Sequence, residues 1–307
     1  MALGEFELIY RYFSAFGRGG AVELGVGDDC AILKAEPGER IVTSVDTMVA
    51  GRHFPEHAFP EDIGYRAVAA ATSDLAAMGA RPLGMTLALT LPEADDLWLH
   101  AFSEGVGQAS EAFDLPLVGG DTTRGLLTIS VQVLGAVPAG AALLRGGARP
   151  GDRVCVSGTL GDAAAGLALE NGELVVEPDE AEYLSSRFHR PTPRLTLGQE
   201  LLGRASSCID ISDGLLADAG HVASASGVAI RIEADSLPLS PVLLGLADRP
   251  QSLRWALAGG DDYELCFTLP GEEPVPAGCC VIGAVSAGEG VSCDIPPGDG
   301  STGFQHF

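Results

Sequence analysis

The sequence predicts an α/β chain, α+β in detail, built as two domains, and three observations carry the prediction. Period-two apolar stretches alternate with longer stretches of helical spacing through the first half, in the order strand, helix, strand, helix, strand, strand. A Gly/Pro-rich, arginine-bearing connection, RGGARPGD at 145–152, interrupts this pattern, and the pattern then restarts. The chain has 307 residues, 46% of them hydrophobic, which is enough for two ordinary domains with cores of their own. The expected boundaries are 1–138 and 149–307.

The elements follow in order. ERIVTSVDTMV (39–49) alternates as a strand does. PEDIGYRAVAAATSDLAAMGA (60–80) opens on a proline and two acids and closes at Gly79, the punctuation of a helix, and its alanines permit burial. LGMTLALTLP (83–92) is a strand, and EADDLWLHAFSEGVGQASEAFD (93–114) is a helix with acids at its start. PLVGGDT and LTISVQVLGAVP, within 116–138, read as a strand, a glycine turn and another strand. Together these predict a mixed sheet with helices on one face. After the connection come a strand (153–158), a helix capped by Thr159 (159–171), and two helices broken by Pro191 and Pro193 (179–205). A short strand (207–212), a helix ending at Gly227 (213–227) and strands at 228–234, 263–270 and 279–286 complete the pattern.

Charge narrows the function. There are 42 acids against 18 bases, a net charge of −24, and such a field repels nucleic acid. Lys34 is the only lysine, so the lysine-dependent phosphate loop G-x-x-x-x-G-K-[ST] cannot form. Bound phosphates would have to be held by metal ions, arginines and backbone N–H groups. No apolar run reaches the ~18 residues of a membrane span, and no basic region precedes the apolar N-terminal stretch, so the reading is a cytoplasmic protein with no membrane partner. The seven cysteines are scattered without a C-x-x-C pair. They read as buried reduced thiols, Cys30 among them.

Aspartates recur where strands end, where glycines turn, or among small residues: VGDDCAIL (26–33), SVDT (44–47), TSDLAAMGA (72–80), VGGDTTRG (118–125), DISDG (210–214) and AGGDDYE (258–264). Taken singly, each is a turn former or helix cap. As a set they are nearly free of bases, Arg124 excepted, and converging carboxylates without cations raise one another's pKa. A divalent metal resolves the conflict, and Mg²⁺ takes carboxylate oxygens while bridging to substrate phosphates.

At these residues the sequence resembles the thiamine-monophosphate kinase family. The resemblance rests on GEFELI (4–9), VGDDCA (26–31), DTMVAGRHF (46–54), TSDLAAMGA (72–80), GGDTT (119–123), RGGARPGD (145–152), VSGTLGDAAAGL (156–167), HRPTPR (189–194), DISDGL (210–215) and GGDDYELCF (259–267), and it covers nearly the whole chain in order. It implies the two-domain aminoimidazole ribonucleotide synthetase-like fold. The N-terminal domain would bind ATP and Mg²⁺ and pair its mixed sheet with a second copy in a homodimer, and the C-terminal α/β domain would close the active-site cleft. It implies ATP as co-substrate, thiamine monophosphate as acceptor, and several Mg²⁺ ions. The matching metal positions are Asp29, Ser44, Val45, Asp46, Asp74, Asp121, Asp210 and Asp213. Val45 replaces the usual threonine, so only its backbone carbonyl could serve. ATP contacts would fall on Gly120, Asp121, Arg145 and Ser212. Ser103 stands where some members carry a tyrosine and has no ring to stack on adenine. Substrate contacts would fall on His53 and Asp261, and on Phe304 where others have tryptophan, with Asp262 and Glu264 nearby. Asp46, Asp121 and Arg145 would carry the catalysis.

Two rival classes make different demands. Selenophosphate synthetase, in the same superfamily, would want a reactive cysteine and a lysine near the N-terminus, and neither is there. A non-catalytic nucleotide or metal module with a decayed site would have lost carboxylates, whereas the departures at Val45 and Ser103 remove none.

Overall fold

A computed structural model describes residues 5–26, 30–246, 248–295 and 303. The chain divides into two compact units, residues 1–75 with 80–140, and residues 76–79 with 141–307.

In the first unit, helix α1 (Glu5–Tyr12) precedes a two-stranded antiparallel ribbon, β1 (Val22–Leu24) with β2 (Ile32–Leu33). Strand β3 (Glu39–Val49), helix α2 (Pro60–Ala77), strand β4 (Arg81–Leu91), helix α3 (Asp96–Ala112) and strands β5 (Leu117–Arg124) and β6 (Thr128–Pro138) follow. They make a mixed four-stranded sheet in the order β3-β6-β4-β5. β6 runs antiparallel to both neighbours and β4 runs parallel to β5, as the crossover through α3 requires. One face is covered: Ile129, Val131, Val133, Leu87 and Leu89 are buried there. α2 lies on that face, since the position of a Cβ on Gly135 falls 2.9 Å from Leu75. The other face is open, with Ile41 51% and Val45 61% exposed. Threonine, serine and glutamine hydroxyls and amides bond across it, as in Thr47 with Ser130 and Thr86 with Gln132.

The second unit is a six-stranded sheet covered on both faces. Its elements are β7 (Arg153–Ser157), α4 (Asp162–Glu170), α5 (Pro178–His189), α6 (Leu195–Glu200), β8 (Ser207–Asp210), α7 (Leu215–Ser226), β9 (Ala229–Ile232), α8 (Pro241–Gly245), α9 (Arg249–Ala258), β10 (Leu265–Leu269), β11 (Cys279–Ser286) and β12 (Gly290–Cys293). The strand order is β12-β9-β11-β7-β10-β8, antiparallel except for β12 beside β9. Successive residues of one strand enter different cores. Val154, Val156, Ile209 and Cys266 pack with α7 and α9, while Cys155, Cys208, Leu265 and Phe267 pack with Leu201 and with Ala76 and Ala77. A strand buried on both faces reads as a continuous apolar run, which is why these stretches lack alternation.

The structure departs from the sequence reading at several points. Gly119 and Gly120 lie inside β5, and the turn comes at Gly125 instead. Thr159 does not cap α4: the cap is Gly161, and the Thr159 hydroxyl bonds the Asp162 carboxylate. α1, β1, β2, α8, α9 and β12 have no counterpart in the sequence reading; β1, β2, α8 and β12 are too short for a readable period. Cys155, Cys208 and Cys266 are buried thiols, but Cys30 and Cys280 are exposed. Cys30 sits beside a two-stranded ribbon separate from the four-stranded sheet.

Candidate active site

Along β3, Ser44 and Asp46 point to the covered face of the sheet, and Val45 between them points to the open face. α2 brings Asp74 to the same place, and the Ser44 hydroxyl donates to its Oδ2 at 2.5 Å. Asp46 is half-buried. Loss of solvent, and secondarily the Asp74 charge, push its carboxyl up to about 6. Two carboxylates and a hydroxyl converging without a base are hard oxygen donors, the set a magnesium ion takes. Just past β3, the His53 ring accepts the Val49 N–H at Nδ1, 3.0 Å away.

Gly120 and Asp121 stand on β5. A Cβ at Gly120 would come within 2.0 Å of the Leu87 carbonyl oxygen, so this strand approaches β4 only as glycine. Asp121 is exposed. The register runs Asp46–Val131–Leu87–Gly120 in one row and Thr47–Ser130–Ala88–Asp121 in the next. Adjacent rows face opposite sides of a sheet. Asp46 and Asp121 therefore project from opposite faces with two strands between them, and one chain does not bring them together.

In the second unit Asp210 ends β8 and is buried, and Ser212 and Asp213 follow it as half-buried loop residues. The backbone runs on beside residues 261–264: Ile211 N–H bonds the Glu264 carbonyl, Tyr263 N–H the Ile211 carbonyl, and Asp261 N–H the Ser212 carbonyl at 2.9 Å. Asp261 and Tyr263 both hold left-handed backbone, φ 69° and 50°, which costs a non-glycine residue energy. The Tyr263 hydroxyl donates to Asp261 Oδ1. Arg145 is exposed on the connection before β7.

Asp262 and Glu264, which the sequence groups with Asp261, turn inward instead. Asp262 accepts the N–H groups of Gly161 and Ala163, and burial pushes its carboxyl well above the ordinary range. Glu264 accepts from Ser157, Arg187 and Arg194, and Arg187 also faces Asp162. These two residues anchor the strained turn and leave Asp261 as the presented carboxylate. Ser103 is buried with its hydroxyl on the His100 carbonyl, so it offers no surface to a base. Asp29 and Phe304 lie outside the described residues.

Sequence reasoning missed Asp218 on α7. It is 3% exposed, and its Oδ2 accepts the N–H groups of Ser212, Asp213 and Gly214, each at 3.1 Å. Burial first, then the Asp213 carboxylate, push it up to about 7 against the pull of those three bonds. Ligand atoms of Asp213, Asp218 and His221 lie within 4.8 Å of one another. The only signal in the sequence was an acid five residues after Asp213 in a predicted helix, and by itself that reads as a first-turn charge.

The two units and their acidic motifs define an AIR synthase related protein. The N-terminal domain of that family matches residues 27–137 and its C-terminal domain residues 149–294. The thiamine-monophosphate kinase of Escherichia coli (strain K12) is 46% identical, covering 100% of this chain and 99% of that one. The crystal structure of thiamine-monophosphate kinase from Stenotrophomonas maltophilia K279a superposes with a TM-score of 0.87 at 43% identity, over 98% of each chain. A solved structure of AaThiL complexed with AMPPCP and TMP superposes with a TM-score of 0.81 at 36% identity, over 89% of each chain. The chain belongs to the thiamine-monophosphate kinase family.

Proposed function

We propose that the protein transfers the γ-phosphoryl group of ATP to thiamine monophosphate, giving thiamine diphosphate and ADP, the last step of thiamine diphosphate biosynthesis. In a chain of this family, the observation that carries the reading is the meeting of Ser44, Asp46 and Asp74 on one covered sheet face with no base among them. A phosphate oxygen of thiamine monophosphate is already anionic near neutral pH, so attack on the γ-phosphorus needs no strong general base. A P–O bond forms as the bond to the departing ADP oxygen breaks in line. Placement and charge neutralisation then supply the catalysis.

Ser44, Asp46 and Asp74, with Asp29, Asp121, Asp210 and Asp213, would hold Mg²⁺, and the Val45 carbonyl would add a further oxygen. Their oxygens are the hard donors that ion prefers. When bound, Mg²⁺ would offset the negative charge of the reacting phosphates; two unit charges ~4 Å apart at an effective dielectric of ~20 repel by about 4 kcal/mol. Gly120 and Ser212 would hold the nucleotide, and Arg145 would supply positive charge to it. His53 and Asp261 would bind the acceptor, with Phe304 against its cationic thiazolium ring. The N-terminal domain, 1–138, would bind ATP and Mg²⁺ and dimerise, and the C-terminal domain, 149–307, would close the active-site cleft.

The open sheet face supports a homodimer. It presents Ile41 and Val45 to solvent among its polar side chains, and exposed apolar side chains grouped on one face mark a contact surface. Asp121 shares that face, so in a dimer it would lie at the seam between the two copies rather than beside its own chain's Asp46. No described helix is long and apolar enough to cross a membrane, and we place the reaction in the cytoplasm.

The test is direct. Protein, Mg-ATP and thiamine monophosphate are mixed and assayed for thiamine diphosphate, with free thiamine and other phosphomonoesters as control acceptors. Selective appearance of thiamine diphosphate is expected; turnover of another acceptor with none of thiamine monophosphate would overturn the assignment.

A further inference from the structure

We infer that Asp218 is a positioning residue for phosphoryl transfer: a buried internal anion around which residues 212–214 fold so that Ser212 and Asp213 are aimed at the nucleotide and its metal. The inference rests on the function proposed above for Ser212 and Asp213, but the geometry behind it is independent of that function.

Three consecutive N–H groups, from Ser212, Asp213 and Gly214, converge on one oxygen of Asp218 at 3.1 Å each. Successive amides turned to one point make a concave anion site in the backbone. Here the anion is supplied by the chain itself and is 3% exposed. The turn that achieves this needs Gly214 at φ 122°, where a Cβ would also lie 2.9 Å from the Ala258 backbone. Three amides fixed to one acceptor set the backbone torsions of residues 212 and 213, and therefore where their side chains point. Removing the acceptor leaves the three N–H groups without it, a desolvation cost that the turn escapes only by opening to water. The turn would open, and the two side chains would lose their aim.

The consequence should fall unevenly on the two substrates. Asp261 is joined to this turn through its N–H on the Ser212 carbonyl, but it is also held by the inward anchors Asp262 and Glu264. The nucleotide side should suffer more than the acceptor side.

The test compares wild type, Asp218→Asn and Asp218→Ala. Asparagine keeps an acceptor oxygen in place; alanine does not. The expected result for Asp218→Ala is a KM for Mg-ATP raised about tenfold or more and kcat lowered about a hundredfold, with KM for thiamine monophosphate changed less than threefold. Asp218→Asn should recover most of both losses. Amide hydrogen exchange at 212–214 should speed at least tenfold in Asp218→Ala, and this readout needs no turnover, so it reports on the turn even if the wild-type protein fails the kinase assay. Unchanged exchange at 212–214 would overturn the inference, as would equal rises in both KM values with asparagine no better than alanine. Should Asp218→Ala fail to fold, Asp218→Leu, which fills the space but offers no acceptor, is decided by the same readouts: a rise confined to the ATP KM with faster exchange at 212–214 supports the inference, and wild-type kinetics with wild-type exchange sinks it.

Discussion

Asp46 shows how a half-buried carboxylate beside another weakens the fold that carries it. Its carboxyl sits at about 6, above the ordinary 3.8, because burial and Asp74 both oppose its charge. The native state therefore holds that proton more tightly than the unfolded chain does. Asp46 costs stability fully above about pH 6, and the cost disappears as pH falls toward 4. The magnitude is about 2 kcal/mol once its partial exposure is allowed for. Metal-free protein in chelator should gain stability from this group between pH 8 and pH 5. Asp46→Asn should flatten that gain, melt higher than wild type at pH 8, and lose turnover by orders of magnitude. Thermal melts at the two pH values with and without Mg²⁺ check this; a variant that melts below wild type at pH 8 would contradict the assigned burial cost.

At the scale of elements, the second unit is held by a buried ionic cluster rather than by apolar packing alone. Glu264 immediately precedes β10 and bonds Arg187 from α5, Arg194 before α6 and Ser157 at the end of β7. It therefore ties two helical segments to the strand and to the strained turn at 261–263. Removing one member of a buried ion cluster strands the others, which costs about 3–5 kcal/mol. Glu264→Gln should destabilise by the lower end of that range, since the amide keeps part of the bonding, and should raise KM for thiamine monophosphate by loosening Asp261. Denaturant unfolding measures the first effect and steady-state kinetics the second. A stable variant with normal kinetics would show that apolar packing by itself holds the turn. The carboxylate of Asp261 is presented because its two neighbours point the other way.

At the scale of the whole molecule, the opposite orientation of Asp46 and Asp121 gives the dimer proposal a sharp consequence. Ile41→Asp, on the open face of the edge strand β3, should convert dimer to monomer in sedimentation and abolish turnover while leaving the fold intact. Asp46→Asn and Asp121→Asn should each be inactive alone. When the two are unfolded and refolded together, about half of the dimers are mixed and one site in each of those is complete, so about a quarter of wild-type activity should return. Failure of the mixture to regain activity would place both carboxylates in the site of one chain.

Much of this protein was legible in its sequence. The period of β3, the punctuation of α2 and α3, the prolines between α5 and α6 and the glycine after α7 are local signals, and local physics is enough to read them. The acidic motifs were equally legible, because carboxylates without cations are conspicuous wherever they fall. Tertiary structure decided how those motifs are used. It placed Gly119 and Gly120 inside a strand, and the approach of β5 to the Leu87 carbonyl shows why Gly120 is there. It separated Asp261 from Asp262 and Glu264, three acids within four residues, by pairing two of them with partners far away in sequence. It put Asp121 on the face opposite Asp46, and it made Asp218 the anion of a backbone turn. The sequence determines which groups a chain carries and their local spacing. Which side of a sheet each group faces, and which buried partner receives it, is settled only when distant segments pack together.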